Sequence, residues 1–438
     1  MTETLESNIS ETAETVSSLQ PALSQFIAPS FVINKPDLEN DYQQLLYIAR
    51  EALNFRPPLY IQSILGPVKK WFPPHDQYSE FTIADLWRPL RLLDYLKDIS
   101  VPAFSYTPNR WVGAFFPPVV QNLFWRPSDY FQQPDPFDNE TSFSKEHWFF
   151  INGVATNEAV AKINSALISK MFLRPVTVVH NETDSLLFDL IQCAIGKEFK
   201  TNPSLSVPQS MTEPAVKATI AILKALVDPE RDKVVVICHS QGSIITANVI
   251  RALTVAIERM RKDQLAETIE DDSGLSLLER LACNILGSKA LVIEGKQRRD
   301  DYLVSLLKKL EVYTFANCAN KMTYVTYIYD QDGKEVGLPY IENFANEYDL
   351  VARLGVLSPL KEDPEIIKLD GAVYEKQGKG AWGHLLNEHY LLGIDGYLKG
   401  LNTTSNPYGL NSQTHSESND KPRLYDYFNG GRPQAYYE

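Results

Sequence analysis

The stretch "KVVVICHSQGSIITANVI", residues 233–250, joins a short apolar run to a long one through a single polar turn. Its first part, "KVVVIC", is typical of a strand that is buried on both faces inside a parallel sheet. After the turn, residues 242–260 read "GSIITANVIRALTVAIERM", a heavily apolar pattern that predicts a long buried helix. A chain that passes from strand to helix within two residues must bend sharply at Ser240.

The turn itself reads Cys238-His239-Ser240-Gln241-Gly242. A serine on such a turn tolerates strained backbone angles only if the residues two before and two after it are small. Gly242 meets this requirement, and Cys238, at a position where glycine is usual, is small enough to meet it. The helix N-terminus behind the turn stabilises negative charge that develops beside the serine. The context predicts that Ser240 is a nucleophile, and an ordinary turn serine is the alternative.

Short apolar runs alternate with helical patterns on both sides of this stretch. This alternation predicts an α/β fold with a doubly wound, mostly parallel sheet. Strands are predicted at 147–153, 175–181, 233–238, 310–318 and 371–377, with a hairpin or two strands at 324–344, and helices at 158–172, 184–196, 212–227, 242–260 and 385–398.

Composition divides the chain into four parts. Residues 146–400 carry the α/β pattern and include a charged, helical insertion at 261–308 that is a candidate lid. The other parts are a Ser/Thr/Glu-rich flexible leader at 1–30, a Pro- and aromatic-rich extension at 31–145 with helices at 41–53 and 82–99, and a mostly disordered tail at 401–438.

The aromatic segment at 111–125 in the extension has two interpretations. Its Trp and Phe residues favour polar–apolar boundaries, which would allow peripheral contact with a membrane. Alternatively, it is a packed arm that covers an edge or face of the sheet. It spans only 15 uncharged residues and contains two prolines, so it is too short and too interrupted to cross a bilayer.

Composition and charge exclude several classes of protein. The net charge of −13 argues against a nucleic-acid partner, which would require clustered Lys and Arg. The four cysteines (Cys193, Cys238, Cys283, Cys318) are widely spaced and apolar in context, so we expect reduced core thiols and no metal site. The first residues lack the features of a signal peptide, and we therefore expect a soluble, cytoplasmic protein that needs no cofactor.

The serine turn, in its strand-to-helix context, resembles the nucleophile turn of the α/β-hydrolase superfamily, and of its lipase-like members in particular. The resemblance covers about residues 146–400. It implies a Ser-acid-His triad in that chain order, with the acid and the histidine on loops that follow later strands.

The acid is sought in "YIENFANEYDLVARLGV", residues 340–356, where a strand is followed by Asp349. This resembles the Asp-Val pattern that lipase-like hydrolases place after a late strand, and Asp349 is the predicted acid. Glu347 is the alternative carboxylate. Asp330 and Asp332 are better explained as residues of a hairpin turn.

Two histidines in "GKGAWGHLLNEHYLLGI" are candidates for the base, His384 and His389. Five residues apart on a helix, they would point about 140° apart, so they can share neither one catalytic site nor one metal ion. His389 falls on an apolar stripe, where a core histidine is expected. His384 lies where a glycine-rich loop meets the helix start, and it is the preferred base, with His389 left as the alternative.

An oxyanion hole needs two backbone N–H donors. The first is expected from Gln241, directly after the serine, and the second from Gly153 or Val154 in "FFINGVATN". Together these residues predict a serine hydrolase of a small-molecule or lipid ester. The alternatives are a thioesterase or acyltransferase on the same fold, or a non-catalytic module of this fold that binds a lipid or a protein.

Overall fold

The computed structural model describes residues 59–83, 130–133, 145–153, 156–181, 213–262, 275–290, 293, 295–329, 333–364, 366–397, 410–412 and 421–433. The leader, the aromatic segment at 111–125 and the helices predicted at 41–53 and 184–196 lie outside these ranges, as does nearly all of the helix predicted at 82–99.

Twelve strands are found in the described residues. They are β1 (Tyr130–Gln133), β2 (Glu146–Ile151), β3 (Val176–Val179), β4 (Lys233–His239), β5 (Leu310–Phe315), β6 (Lys321–Met322), β7 (Thr326–Tyr329), β8 (Glu335–Leu338), β9 (Tyr340–Asn346), β10 (Lys368–Leu369), β11 (Ala372–Lys376) and β12 (Leu410–Ser412). Eight of them form one sheet in the order β1-β3-β2-β4-β5-β9-β11-β12. Its six inner strands are parallel, and the edge strands β1 and β12 run antiparallel to their neighbours.

Seven α-helices occur in the same residues: α1 (Leu59–Leu65), α2 (Glu158–Phe172), α3 (Glu213–Val227), α4 (Gln241–Arg261), α5 (Leu277–Ala290), α6 (Lys296–Lys309) and α7 (Leu350–Leu354). Two shorter elements matter for the site, a 3-10 turn at Glu80–Thr82 and a π-helical turn at Leu386–Leu391.

Side chains alternate along the strands and build a core on each face of the sheet. In β4, Val234 and Val236 contact the layer formed by α3, α4, α5 and α6. Val235 and Ile237, one residue out of phase, contact the opposite layer, which includes α2. Because both faces are covered, an all-apolar run such as "VVVIC" is stable in the middle of the sheet. The predicted α/β class, with a mostly parallel sheet and helices on both sides, is confirmed.

The carboxyl ends of the six parallel strands lie at one edge of the sheet. Among these strands, β4 lies near the centre, between β2 and β5. Loops that leave β2, β4, β9 and β11 therefore start at the same edge. This topology places the ends of four separate strands close to the turn at Ser240.

The insertion between α4 and β5, a candidate lid, contributes two helices to the described residues. Its two described helices lie in the layer on the first face of the sheet, with Leu278, Leu286, Leu303 and Leu307 buried in that core. α5 and α6 therefore form part of the helical layer on the sheet, and a lid within 261–308 stays a prediction.

One part of the segment predicted as a mostly disordered tail is ordered. Residues 421–433 pack on the second face of the sheet, and Leu424 and Tyr427 are buried there. The backbone N–H of Leu424 donates to the Glu342 carboxylate at 3.2 Å. A short polar segment is thus ordered by buried acidic groups in the strands beneath it.

The helix predicted at 385–398 is replaced by two shorter elements. The π-helical turn Leu386–Leu391 is followed by a 3-10 turn at Ile394–Tyr397. Gly393 separates them, and a glycine inside a helix weakens it. Long-range contacts to the segment at 59–83, described below, hold the first turn in its irregular form.

Candidate active site

Ser240 occupies a strained turn between β4 and α4. Its φ and ψ are 55° and −125°, a region that non-glycine residues rarely adopt. The backbone is held there because Ser240 N donates to Phe315 O of β5 at 2.9 Å, and Ser243 N donates to Ser240 O at 2.8 Å. The side chain is buried. The sharp bend predicted from the sequence is present at this residue.

The residues two before and two after the serine are small for different reasons. A Cβ on Gly242 would lie 2.3 Å from the carbonyl oxygen of Ile151, so β2 leaves no room for a side chain. Cys238 points instead into the core on the α4 side and is fully buried. Burial raises the pKa of the Cys238 thiol to about 12. The thiol therefore stays protonated and fills space beneath the turn.

His384 lies between Ser240 and Asp349. Its Nε2 is 2.9 Å from Ser240 Oγ, and its Nδ1 is 2.8 Å and 3.0 Å from the two carboxylate oxygens of Asp349. If the hydroxyl donates to Nε2, the ring carries its proton on Nδ1 and donates it to the carboxylate. The three side chains form one continuous hydrogen-bonded chain, from three different loops.

Asp349 is fully buried, and donors surround its carboxylate. It is the N-cap of α7, where Oδ1 accepts a hydrogen bond from Val351 N at 2.8 Å. Oδ2 accepts from Tyr390 Oη at 2.6 Å, in addition to the bond from His384. These three donors offset the cost of burying a carboxylate charge, which would be several kcal/mol without partners.

His389, the alternative base, lies elsewhere. Its Nδ1 accepts a hydrogen bond from Leu385 N at 2.9 Å, and its ring packs edge-on against Phe81, with centroids 6.2 Å apart. Burial, together with the nearby Lys70 and Lys376, holds the pKa of His389 well below its ordinary value. It is a neutral core histidine, as its place on an apolar stripe predicted.

His239, directly before the serine, contacts the loop after β11 that carries His384. Its Nε2 donates to the carbonyl oxygen of His384 at 2.8 Å, and the two rings lie 4.5 Å apart. Burial holds the pKa of His239 well below its ordinary value, so this ring is neutral. The same turn that carries Ser240 thus fixes the backbone of His384.

The segment at 59–83 supports the same loop from the other side. Ile64 O accepts a hydrogen bond from His384 N at 2.8 Å. The buried Glu80 carboxylate accepts from Asn387 N at 2.6 Å and from Glu388 N at 2.9 Å, at the start of the π-helical turn. The aromatic residues at 111–125, for which a membrane contact and a packed arm are the two predictions, lie outside the described residues.

The predicted oxyanion residues lie at the ends of β2 and β4. A Cβ on Gly153 would be 2.4 Å from Ser240 Cβ and 3.1 Å from Ser240 Oγ, so this glycine backbone packs directly on the serine. Gln241 is the first residue of α4, where N–H groups lack intrahelical partners. Val154 lies outside the described residues.

A chain of amides connects these strand ends. Asn152 Nδ2 donates to Asn181 O at 2.6 Å, and Asn181 N donates back to Asn152 Oδ1 at 2.8 Å. Asn181 Nδ2 then donates to Gln241 Oε1 at 2.6 Å. The side chain of Gln241 is therefore held by the loop after β3.

The remaining candidates have other surroundings. Glu347 accepts a hydrogen bond from Gly378 N at 2.8 Å through its side chain and supports the loop after β11. Asp330 and Asp332 lie outside the described residues, next to the β7–β8 hairpin.

No group of His, Cys, Asp or Glu in the described residues is arranged to hold a metal ion. None of the helices in that part of the chain is long and apolar enough to cross a bilayer.

Sequence reasoning missed Asn181, Tyr390 and Glu80. Asn181 is the last residue of the strand predicted at 175–181, and a search of predicted strand ends for polar side chains would find it. Tyr390 was missed because a regular α-helix was assumed over residues 385–398. Glu80 is more than 300 residues from its partners in the loop after β11, and nothing local marks it.

Comparison with protein-family models, with curated proteins and with solved structures finds no match to this chain.

Proposed function

We propose that this chain is a serine hydrolase that cleaves a carboxylic ester, built on a fold of the α/β-hydrolase type. The observation that carries the proposal is the hydrogen-bonded chain from Ser240 through His384 to Asp349, with contacts of 2.9 Å and 2.8 Å. The order Ser-Asp-His along the chain and the strained serine turn at the carboxyl edge of the sheet are features of that superfamily.

In the acylation step, His384 Nε2 takes the proton of Ser240 as Oγ forms a bond to the ester carbonyl carbon. The carbonyl π electrons move to its oxygen, and the backbone N–H groups of Gln241 and of the loop after β2 stabilise the negative charge. His384 then gives its proton to the leaving alkoxide as the C–O bond breaks. The products of this step are a free alcohol and an acylated Ser240.

In the deacylation step, water replaces the alcohol. His384 accepts a proton from the water as its oxygen bonds to the acyl carbon, and the proton passes to Ser240 Oγ when the carboxylic acid leaves. Asp349 accepts the hydrogen bond from Nδ1–H and orients the ring, which is positively charged in each transition state. No redox change or added group is required.

Transfer of the acyl group to another alcohol, or cleavage of a thioester, would use the same acyl-enzyme. Water access and the acyl acceptor decide between these reactions, and a lipid ester remains within the proposed substrate class. A non-catalytic lipid- or protein-binding role is disfavoured, because binding alone does not require a strained serine, a buried carboxylate and an imidazole in line.

The test is hydrolysis of p-nitrophenyl esters of increasing chain length by wild type, Ser240→Ala and Ser165→Ala. Ser165 is a matched control, since it is a buried serine on α2 whose hydroxyl donates to the helix carbonyl of Ala161 at 2.9 Å. We expect Ser240→Ala to lose at least about 10³-fold in kcat and Ser165→Ala to retain wild-type kcat. Equal turnover by wild type and Ser240→Ala would rule out the proposal.

A further inference from the structure

We propose that Tyr390 is a positioning residue for the triad, which acts by donating its phenol hydrogen bond to Asp349. The inference rests on the proposed function, since it assigns a fourth member to the same hydrogen-bonded chain. Tyr390 Oη lies 2.6 Å from Asp349 Oδ2, the oxygen that also faces His384 Nδ1 at 2.8 Å. One carboxylate oxygen therefore accepts hydrogen bonds from both the phenol and the imidazole.

The phenol is fixed in a single orientation. Tyr390 is fully buried, and its ring packs edge-on against Phe315 with centroids 5.8 Å apart. Asn346 N donates to Tyr390 Oη at 3.2 Å, so the only proton that the phenol offers goes to Asp349. Burial and the charge of Asp349 hold the pKa of Tyr390 well above its ordinary value, and the group remains a donor.

The backbone geometry at Tyr390 is irregular in a way that serves this contact. Residues Leu386–Leu391 form a π-helical turn, in which Leu392 N donates to Asn387 O, five residues earlier, at 2.8 Å. Turns of this kind are rare and occur often at functional sites. The extra residue in the turn changes the direction of Tyr390 relative to a regular helix, while His389 remains in the core.

The chemical consequence follows from sharing one carboxylate between two donors. A strong donor to Oδ2 takes part of the negative charge that would otherwise stabilise protonated His384, and it prevents rotation of the carboxylate. Without the phenol, Asp349 would hold the imidazolium more tightly but less rigidly. The phenol of Tyr390 thus weakens the attraction of Asp349 for a proton on His384 and keeps Nδ1 of that ring aligned.

The experiment compares Tyr390→Phe with Tyr397→Phe. Tyr397 is an equally buried tyrosine in the same aromatic cluster, but its phenol donates to Asn346 Oδ1 at 2.8 Å and not to the triad. For Tyr390→Phe we expect kcat to fall about tenfold and the acid limb of the kcat/KM profile to move to higher pH. Tyr397→Phe should keep the wild-type limb.

A second readout does not depend on turnover. In protein labelled with ¹⁵N-histidine, the Nδ1–H proton of His384 should change its chemical shift in Tyr390→Phe and not in Tyr397→Phe. If wild type shows no esterase activity but this shift occurs, the proposed function fails while the role of Tyr390 in orienting Asp349 and His384 stands. If activity is present but neither the pH limb nor the resonance responds, the role of Tyr390 is wrong.

If Tyr390→Phe does not fold, a second variant tests the same contact. In it, 3-fluorotyrosine replaces tyrosine at position 390 alone. The fluorinated ring keeps the packing and is a stronger donor, so the acid limb should move to lower pH. If the acid limb of the kcat/KM profile is unchanged in this variant, the proposal is overturned.

Discussion

His239 Nε2 donates a hydrogen bond to the carbonyl oxygen of His384 at 2.8 Å, so the residue before Ser240 holds the backbone of His384. The pKa of His239 is well below its ordinary value, chiefly because the ring is buried, and this bond is therefore made by a neutral imidazole. Serine and histidine are coupled through main chain as well as through side chains.

Replacement of His239 tests this coupling. We expect His239→Leu to lower kcat about tenfold with little change in KM. The reason is that the loss of one hydrogen bond lets the backbone of His384 move out of its position. His239→Gln retains an N–H donor and should recover part of the loss. Steady-state kinetics on the two variants provide the measurement, and equal rates for His239→Leu and wild type would contradict the coupling.

Gly153 is expected to tolerate no side chain. An added Cβ would meet Ser240 Cβ at 2.4 Å and His239 O at 2.8 Å, so one of these groups must move. A displacement of about 1 Å at a reacting group costs about 10²-fold in rate, and we expect that loss in kcat for Gly153→Ala.

Gly295→Ala is the control for this substitution. An added Cβ at Gly295 meets nothing within 4 Å, although its φ of 92° makes the variant slightly less stable. It should keep wild-type kcat. If Gly153→Ala keeps it as well, the close packing of the β2 loop on the serine has no role in catalysis.

The titration of Glu80 should make the free energy of unfolding depend on pH. Burial raises the pKa of Glu80 from 4.5 to about 7, against the N–H bonds from Asn387 and Glu388, which lower it. Between pH 4.5 and 7 the native state holds a proton that the unfolded state has lost. The contribution of Glu80 to the free energy of unfolding therefore falls as pH rises through this window, by about 3 kcal/mol in all, and is constant above it.

Urea unfolding of wild type and Glu80→Gln at pH 5 and pH 8 measures this contribution. Glutamine does not titrate, so the variant should lose less stability than wild type on going from pH 5 to pH 8. Glu342, whose pKa is also raised by burial to about 7, contributes equally to both proteins and cancels in the difference. Parallel pH dependences would show that Glu80 does not titrate in this range.

Arg423 is expected to matter for stability alone. Its Nε lies 3.1 Å from Glu311 Oε1, and both side chains are largely buried at the amino ends of the strands, opposite Ser240. Breaking a buried pair leaves a charge without one of its partners, so Arg423→Met should reduce the free energy of unfolding by about 3 kcal/mol.

The control for Arg423 is Lys421→Met, which removes an exposed pair with Asp426 and should cost less than about 1 kcal/mol. Thermal denaturation compares the two variants, and kcat of the folded proteins should match wild type. A larger loss for Lys421→Met would show that residues 421–433 are held by other contacts.

Residues adjacent to strands were the most predictable part of the site. Ser240 follows an all-apolar run, and Asp349 follows a strand and caps a helix, so apolar patterning alone assigns both to the carboxyl edge of a parallel sheet. Periodicity is local information and places the two residues, and the resemblance to the α/β-hydrolase superfamily supplies their predicted roles.

The choice between His384 and His389 required tertiary contacts. His389 lies in the helix predicted at 385–398 and His384 directly before it, and a π-helical turn held by Glu80 occurs there instead. The polar segment at 421–433 was misjudged for a related reason, because its order depends on buried acids in β5 and β9. Interactions across hundreds of residues leave no periodic signal in the sequence.

The central claim, that His384 activates Ser240, is tested most directly by labelling with a fluorophosphonate and mapping the modified peptide. We expect wild type and His389→Gln to be labelled at Ser240 at similar rates, and His384→Gln to be labelled at least about 10³-fold more slowly. Labelling of His384→Gln at the wild-type rate, or attachment of the probe to a residue other than Ser240, would contradict it.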